Sequence, residues 1–254
     1  FESLRCDETA LQLNPMNIIL LRQEDWIDQD HVLLSDHRLL HIREHLKAAV
    51  GASVRVGRLG GDQGQGLIER IDAEAVRMRV QLTVSPPARH RYDLVLALPR
   101  PKMLRRILRT AAEFGVKNLH LIHSVRVEKS YWQSPLLRPE KLEEALHAGL
   151  ERSRDTLAPS VHFHKRFRPF VEDQLPALCA GRPCWIADMA GSRSLADAPA
   201  VPAVVMIGPE GGFVPFELEL AESCIAQRVH LGGRILSVDT ALTAVLAQAL
   251  PGST

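Results

Sequence analysis

The chain has 254 residues, of which 46% are hydrophobic and 24% are charged, and its formal net charge at pH 7 is +1. This length and composition allow a sizeable core in one large domain or two smaller ones. The sequence has no run of about eighteen apolar residues, so no membrane-spanning helix is expected, and any affinity for nucleic acid must come from local charge clusters.

The cysteines and the first residues bear on the cellular compartment. Cys6, Cys179, Cys184 and Cys224 form no Cys-x-x-Cys pair and do not suggest a disulfide framework, so we expect a reducing, cytoplasmic location. Residues 1–15 lack the basic start, apolar stretch and small-residue site of a signal peptide. We interpret them as a leader, a tag or a disordered extension.

Residues 16–85 are predicted to form a small, mostly β domain. The pattern predicts, in chain order, a strand at 17–21, a helix from Ser35 or Asp36 to about Val50, and strands at 53–58, 67–71 and 75–84. The last strand alternates apolar and polar residues cleanly. The glycine-rich stretch 60–66 lies between two strands with no helix after it, so it predicts a flexible hairpin loop, not a dinucleotide-binding loop.

A second domain is predicted at 88–254, after the linker Ser85-Pro86-Pro87. Its strands are expected at 94–98, at 118–122 and near Val161, Trp185 and Val204, and its helices at 102–114, 139–155, 215–226 and 240–250. This alternation favours a parallel sheet with helices on both faces.

A glycine loop follows a buried strand at Ile207-Gly208-Pro209-Glu210-Gly211-Gly212. Ligands of open α/β sheets bind outside the carboxyl ends of strands, and glycines there let a ligand approach the backbone N–H groups. The alternative is a tight turn that binds nothing.

A second glycine loop leads into the last helix. It runs Leu231-Gly232-Gly233-Arg234-Ile235-Leu236-Ser237-Val238-Asp239-Thr240-Ala241, and Asp239 or Thr240 is a suitable N-cap. The alternative is a capped strand-to-helix connection with a solvated arginine. Two such loops after neighbouring strands together indicate a ligand site.

The two loops resemble the motifs of the SPOUT-class methyltransferases that modify a uracil N3 in small-subunit (16S) ribosomal RNA. The resemblance covers nearly the whole chain from Met16 and includes Glu113-Phe114-Gly115-Val116 at the end of a helix. Residues 38–58, with His41, Lys47 and Gly51, resemble the PUA-like N-terminal domain of that family.

The resemblance implies an α/β fold with a trefoil-knotted C-terminal SPOUT methyltransferase domain and a PUA-like N-terminal β-barrel domain that binds RNA. It also implies a homodimer, S-adenosyl-L-methionine as cofactor, and ribosomal RNA or the small ribosomal subunit as partner. A third cofactor loop is expected near residues 187–190. The cofactor-binding residues implied are Met189, Ile207, Gly208, Pro209, Glu210, Gly211, Gly212, Leu231, Gly232, Ile235, Leu236, Thr240 and Ala241.

The catalytic candidates are Arg234, Ser237 and Asp239. A uracil N3 must lose its proton to attack a methyl group, and a nearby cation would stabilise the resulting anion. Arg234 is the first candidate for that cation, although a salt bridge to Glu210 is equally open. The family usually has Arg-x-Glu directly before Thr240, where this chain has Ser237 and Asp239, so we expect a slow but cofactor-competent enzyme unless another basic group substitutes.

Basic residues cluster in several segments and could neutralise RNA phosphates, although a solvated charged face is the alternative. The RNA-binding candidates are Arg22, Arg43, Lys47, Lys102, Arg105, Arg106, Lys165, Arg166 and Arg168. His37, His41 and His45 share a helix face but have no carboxylate or thiol pattern beside them, so no metal is expected.

Two other functions remain open from the sequence. One is a protein of the same fold that binds cofactor and RNA but has little activity, because Ser237 replaces the usual arginine. The other is a nucleotide-using α/β metabolic enzyme.

Overall fold

The computed structural model describes residues 17–250 of the chain. The chain divides into two compact units, Phe1–Pro86 and Pro87–Thr254, with the boundary between two adjacent prolines. Residues 1–15, expected to be a leader or a disordered extension, and Cys6 among them, lie outside the described residues, whereas Cys179, Cys184 and Cys224 are free thiols. Within residues 17–250, no helix is long and apolar enough to cross a membrane.

The first unit contains a five-stranded mixed sheet in the order β1-β3-β4-β5-β2. The strands are β1 (Ile19–Leu21), β2 (His31–Leu34), β3 (Ser53–Arg58), β4 (Gln63–Ile71) and β5 (Val76–Val84). β1 is parallel to β3, and the other pairs are antiparallel. The alternation read from the sequence is confirmed, because Val76, Met78 and Val80 of β5 all lie in the core.

The helix of the first unit is shorter than predicted. α1 (His37–Leu40) is capped by Asp36, whose carboxylate accepts from the backbone N–H of Arg38, and it continues only as the π-helical turn His41–His45, where the rings of His41 and His45 stack. Lys47 has a φ of 49°, which is left-handed and incompatible with helix. The predicted extension to Val50 is therefore wrong.

The prediction of a flexible hairpin loop at residues 60–66 is wrong for the second half of that stretch, because β4 begins at Gln63. A Cβ on Gly64 would overlap the carbonyl oxygen of Gln81, and one on Gly66 would lie 3.0 Å from Val56 Cγ1. These glycines are needed for close packing inside the sheet.

The second unit is built on a seven-stranded sheet in the order β10-β12-β9-β11-β6-β7-β8. Every neighbouring pair is parallel. The strands are β6 (Tyr92–Ala97), β7 (Asn118–Ile122), β8 (Ser160–His164), β9 (Cys184–Ala187), β10 (Arg193–Ser194), β11 (Ala203–Ile207) and β12 (Gln227–His230). β6 and β11 are buried along their whole length, as central strands of a covered parallel sheet should be.

The helices of the second unit follow the predicted order, with small shifts at their ends. They are α2 (Pro101–Glu113), α3 (Pro139–Ser153), α4 (Phe167–Pro169), α5 (Leu175–Cys179), α6 (Pro215–Cys224) and α7 (Val238–Ala247), with a π-helical turn at Phe170–Gln174. α2, α3 and α6 each have proline in the first turn, where its missing N–H has no helical partner to lose.

The sequence did not reveal β2, β10, β12 or the helical segment from α4 to α5. β10 has only two residues, and most of β12 is polar, so neither shows an apolar run. Pro169 and Pro176 interrupt the segment from α4 to α5 and hide its helical period.

Candidate functional site

A cavity of about 330 Å³ lies at the carboxyl edge of the parallel sheet, where the loops after β9, β11 and β12 meet. All three predicted cofactor loops contribute to its wall. Its lining residues are Arg126, Ala187, Asp188, Met189, Ile207, Gly208, Pro209, Glu210, Gly211, Gly212, Phe213, Leu231, Arg234, Ile235, Leu236, Val238 and Ala241. Of the predicted cofactor residues, only Gly232 and Thr240 are not part of this lining.

The loop after β11 is a tight turn whose shape requires glycine at two positions. Gly212 has a φ of 73°, and its N–H donates to the carbonyl of Pro209 at 2.8 Å. A Cβ on Gly208 would lie 3.0 Å from the backbone nitrogen of Phe213. Gly212 is therefore required for its positive φ, and Gly208 is required because the backbone of Phe213 lies too close for a side chain. A Cβ on Gly211 would meet only the flexible side chain of Arg126.

The loop after β9 is fixed from both sides. The N–H of Asp188 donates to the carbonyl of Val229 at the end of β12, and its carboxylate accepts from the N–H of Ala190, both at 2.9 Å. These bonds leave the side chain of Met189 exposed along the cavity wall.

Ser237 is the N-cap of α7, so the prediction of Asp239 or Thr240 in that position is wrong. The Ser237 hydroxyl caps no backbone N–H. Instead it donates to Asp239 Oδ1 at 2.6 Å and lies 2.9 Å from the Thr240 hydroxyl. Ser237 and Asp239 stand beside the cavity and are not part of its lining.

Arg106 of α2 reaches the start of α7 and pairs with Asp239, with Nη1 and Oδ2 at 2.8 Å. The hydrogen bond from Ser237, together with that from Arg106, lowers the pKa of Asp239 below its ordinary value. The structure thus brings a guanidinium next to the position where the related motif has its arginine.

Arg234 lines the cavity and is exposed. It makes no hydrogen bond or ion pair with any other residue in 17–250. The alternative of a salt bridge to Glu210 is wrong, because Glu210 instead faces Arg100, with Oε1 and Nε at 3.8 Å. Arg234 is thus a solvent-facing cation in the wall of the cavity.

Arg126 is a cavity residue that sequence reasoning missed. It follows β7, and its guanidinium donates to the carbonyl of Gly211 and, at 3.5 Å, to that of Gly212. Its loop is held by the buried Glu217, whose carboxylate accepts from the N–H of Val125 at 2.8 Å. The available signal was position, since the loop after a strand predicted at 118–122 must lie at the ligand-binding edge.

The basic candidates divide between the two units. Arg22, Arg43 and Lys47 belong to the first unit, where Arg22 is half-buried and the other two are exposed. Lys102, Arg105, Arg106, Lys165, Arg166 and Arg168 belong to the second unit and are all exposed.

Three basic candidates of the second unit face acids: Arg106 as described, Arg105 near Glu144 at 3.9 Å, and Arg168 bound to Glu172 at 2.8 Å. Among residues 17–250, no three His, Cys, Asp or Glu side chains are arranged to hold a metal ion.

Comparison with known proteins gives consistent matches. Residues 86–250 match the model of the RNA methyltransferase domain. The chain is 30% identical over 241 residues to ribosomal RNA small subunit methyltransferase E of Treponema pallidum, covering 92% of this chain and 91% of the relative. It is 20% identical to the enzyme called ribosomal RNA small subunit methyltransferase E 1 of Borreliella burgdorferi, over 90% of this chain and 95% of the relative.

The solved structure of ribosomal RNA small subunit methyltransferase E from Neisseria gonorrhoeae, bound to S-adenosyl methionine, has a TM-score of 0.72 at 19% identity and covers 92% of this chain and 96% of its own. A methyltransferase structure from Legionella pneumophila, also with bound cofactor SAM, has a TM-score of 0.70 at 20% identity, over 91% and 95%. At these identities the likeness establishes the fold.

Proposed function

The chain belongs to the RNA methyltransferase family, among the ribosomal RNA small subunit methyltransferase E proteins, and from that premise we propose that it methylates N3 of a uracil in 16S ribosomal RNA. The observation that carries this proposal is a cavity in which three loops of the sheet edge meet beside an arginine that has no partner within residues 17–250. Because the chain belongs to this family, the alternative of a nucleotide-using α/β metabolic enzyme has no support.

The cofactor is S-adenosyl-L-methionine, and the residues present fit it. A volume of about 330 Å³ suits a small-molecule site. Ile207, Leu231 and Leu236 offer apolar surface for a purine, and the glycine loop allows close approach to its backbone. The carboxylates of Asp188 and Glu210 suit hydroxyl or ammonium groups. When bound, the cofactor supplies a methyl group on a positively charged sulfur.

The protein's part in the reaction is to position the uracil and stabilise charge. When N3 loses its proton to solvent water, negative charge spreads onto the two flanking carbonyl oxygens. Arg234 is exposed to the cavity and free to donate to one of them. Asp239 has a lowered pKa and stays ionised, so we assign it to holding Arg106 and Ser237 in place and not to accepting the proton.

The finer features of the fold are also proposals. The family suggests a trefoil knot in the second unit, and α7, which follows β12 and the cavity loop, returns to pack on β11 and α2. The five-stranded sheet of the first unit, with its parallel β1–β3 pair, supports a PUA-like RNA-binding domain.

A homodimer is supported by exposed apolar side chains beside the cavity. Ile235 is 87% exposed, Val125 is 68% exposed and Phe216 is 53% exposed. Large exposed apolar side chains commonly mark an interface. Light scattering at micromolar concentration measures the oligomeric state directly, and a monomer would contradict this proposal.

Two measurements test the function. Calorimetry should show binding of S-adenosyl-L-methionine, and labelled methyl groups should pass from it to 16S ribosomal RNA in small subunits. Gly208→Val serves as the control that loses both, because its side chain would collide with the loop backbone.

A second candidate function remains, favoured by Ser237 in place of the usual arginine: a cofactor- and RNA-binding protein with little activity. Cofactor and RNA binding without methyl transfer would favour it over the enzyme.

A further inference from the structure

We propose that Trp132 and Phe163 form a stacking platform for an unpaired RNA base, beside the cofactor cavity in the second unit. The inference rests on the proposed function, since it concerns how the RNA substrate is held. We call the two rings the aromatic platform.

The two rings are fixed in a defined arrangement. Trp132 lies in the 3₁₀ turn Lys129–Gln133, and its indole N–H donates to His123 Nδ1 at 3.1 Å. Phe163 packs edge-to-face against it, with centroids 6.4 Å apart and planes at 73°. The indole N–H is therefore satisfied inside the protein. Trp132 is half-buried and Phe163 is more exposed, so part of each ring faces solvent.

Phe163 is a large apolar side chain that is exposed to solvent and not buried in the core. It lies on β8, an edge strand of the sheet, and is 41% exposed. Its neighbours His162 and His164 point to the opposite face, where both rings stack with His120 at 4.4 and 5.3 Å. One face of β8 is thus packed, while the other presents a phenyl ring to solvent.

The platform lies at the same edge of the sheet as the cofactor cavity. β7 and β8 are parallel to β11, so the residues after them emerge beside the loop after β11. β8 is three strands from β11, or about 14 Å at the usual strand spacing. Arg126 lines the cavity and precedes Trp132 in the segment between β7 and α3. This segment therefore runs from the cavity wall to Trp132, which contacts Phe163 of β8.

Charge next to the platform favours a polyanion. Lys165 and Arg166 directly follow β8 and are exposed, and neither forms an ion pair with another residue of 17–250. Aromatic rings flanked by basic side chains are the usual means of binding single-stranded RNA, in which bases stack on the rings and phosphates contact the cations. Stacking tolerates any base, so the platform would hold a nucleotide near the target without reading its identity.

The probe is hexauridylate, an unpaired oligoribonucleotide, compared with an abasic oligomer of the same length. Trp132→Leu and Phe163→Leu should each weaken hexauridylate binding by about 5- to 150-fold, as expected for loss of one stacked base. Trp132→Phe keeps an aromatic face and should lose much less. The abasic oligomer should bind wild type and the Leu variants alike.

Two further readouts do not depend on affinity alone. Hexauridylate should quench tryptophan fluorescence in the wild type, and Trp132→Phe should abolish the part of that quenching due to the platform. Trp185 is buried, and any quenching of the half-buried Trp26 in the first unit should persist in Trp132→Phe. Lys165→Gln should reduce the salt dependence of binding by about one unit of slope. Arg152→Gln, on α3 and paired with Glu113, is the matched control and should leave the slope unchanged.

Three results would overturn the proposal. If the Leu variants bind hexauridylate as tightly as a wild type that methylates 16S RNA, the platform is wrong and the proposed function stands. If wild type binds neither hexauridylate nor 16S RNA, both are wrong. If Trp132→Leu changes the molar mass in solution, the rings form a subunit contact. Unchanged affinity for S-adenosyl-L-methionine in each variant shows that the fold is intact.

Discussion

The ion pair between Arg106 and Asp239 makes a sharp prediction about the start of α7. Related motifs have Arg-x-Glu where this chain has Ser237 and Asp239, and Arg106 brings a guanidinium to that place from α2. If this guanidinium does the work of the missing arginine, Arg106→Gln should slow methyl transfer, and adding Ser237→Arg to that variant should restore it. Ser237→Arg alone should change the rate little, because Arg106 already forms an ion pair with Asp239.

The expected effect of Arg106→Gln on the rate is much larger than its expected effect on the free energy of unfolding. Arg106 is 66% exposed and Asp239 is 17% exposed, so solvent screens their pair, and its loss should lower the free energy of unfolding by no more than about 1 kcal/mol. Loss of one group that stabilises charge in the transition state typically costs about 3 kcal/mol, or about a hundredfold in rate. Arg106→Gln should therefore reduce the rate constant about a hundredfold in a protein of nearly unchanged stability.

Single-turnover methyl transfer to small subunits measures this rate, and calorimetry checks that cofactor affinity is unchanged. Arg152→Gln is the matched control, since Arg152 lies on α3, is no RNA-binding candidate and likewise pairs with an acid, Glu113, at 3.6 Å. A double variant that stays as slow as Arg106→Gln would refute the equivalence of the two arginines. A rate unaffected by Arg106→Gln would show that this ion pair is structural.

Three other predictions concern the cavity and the sheet. Gly208→Ala should weaken binding of S-adenosyl-L-methionine about 5- to 150-fold in calorimetry, because its Cβ overpacks the loop, whereas Gly233→Ala, with open space around it, should bind normally. Arg234→Ala should slow single-turnover transfer about a hundredfold without changing cofactor affinity; equal losses in both would assign Arg234 to the cofactor. Burial lowers the pKa of His120 to about 4, from about 6.5 in the unfolded chain, so the unfolded state binds more protons and the free energy of unfolding falls as pH drops through this window. His120→Leu should flatten that fall by up to about 1.4 kcal/mol per pH unit in urea unfolding, and an unchanged slope would contradict the assignment.

Local pattern was enough to predict the elements that frame the site. β3 and β7 begin and end where the sequence predicts, because their apolar residues show the period of a strand and turn residues bound them. The first glycine loop follows a strand predicted near Val204, and strand ends in a parallel sheet meet at one edge. The second loop follows β12, which was not predicted. The resemblance of the loops to those of a known family then predicted that they form one cofactor site.

Contacts between distant segments could not be predicted in the same way. Arg126 lies 85 residues from Gly211, and Arg106 lies 133 residues from Asp239, so only the folded sheet brings each pair together. Arg106 was predicted to bind RNA because its neighbours in sequence are basic. Its pairing with Asp239 depends on where α7 packs, which no local pattern contains.

The end of the first helix was missed for a different reason. The apolar period continues past His45, but Lys47 adopts a left-handed conformation that stops the helix. Lysine has no special preference for that conformation, so the sequence carries no stop signal there.

The central claim is the chemical position of the methyl group, and nucleoside mass spectrometry of 16S ribosomal RNA tests it most directly. Small subunits treated with the protein and labelled S-adenosyl-L-methionine should yield labelled N3-methyluridine, and subunits treated with Gly208→Val should yield none. Label on a ribose 2′-oxygen, on carbon 5 of the base, or on no nucleoside at all would contradict the account.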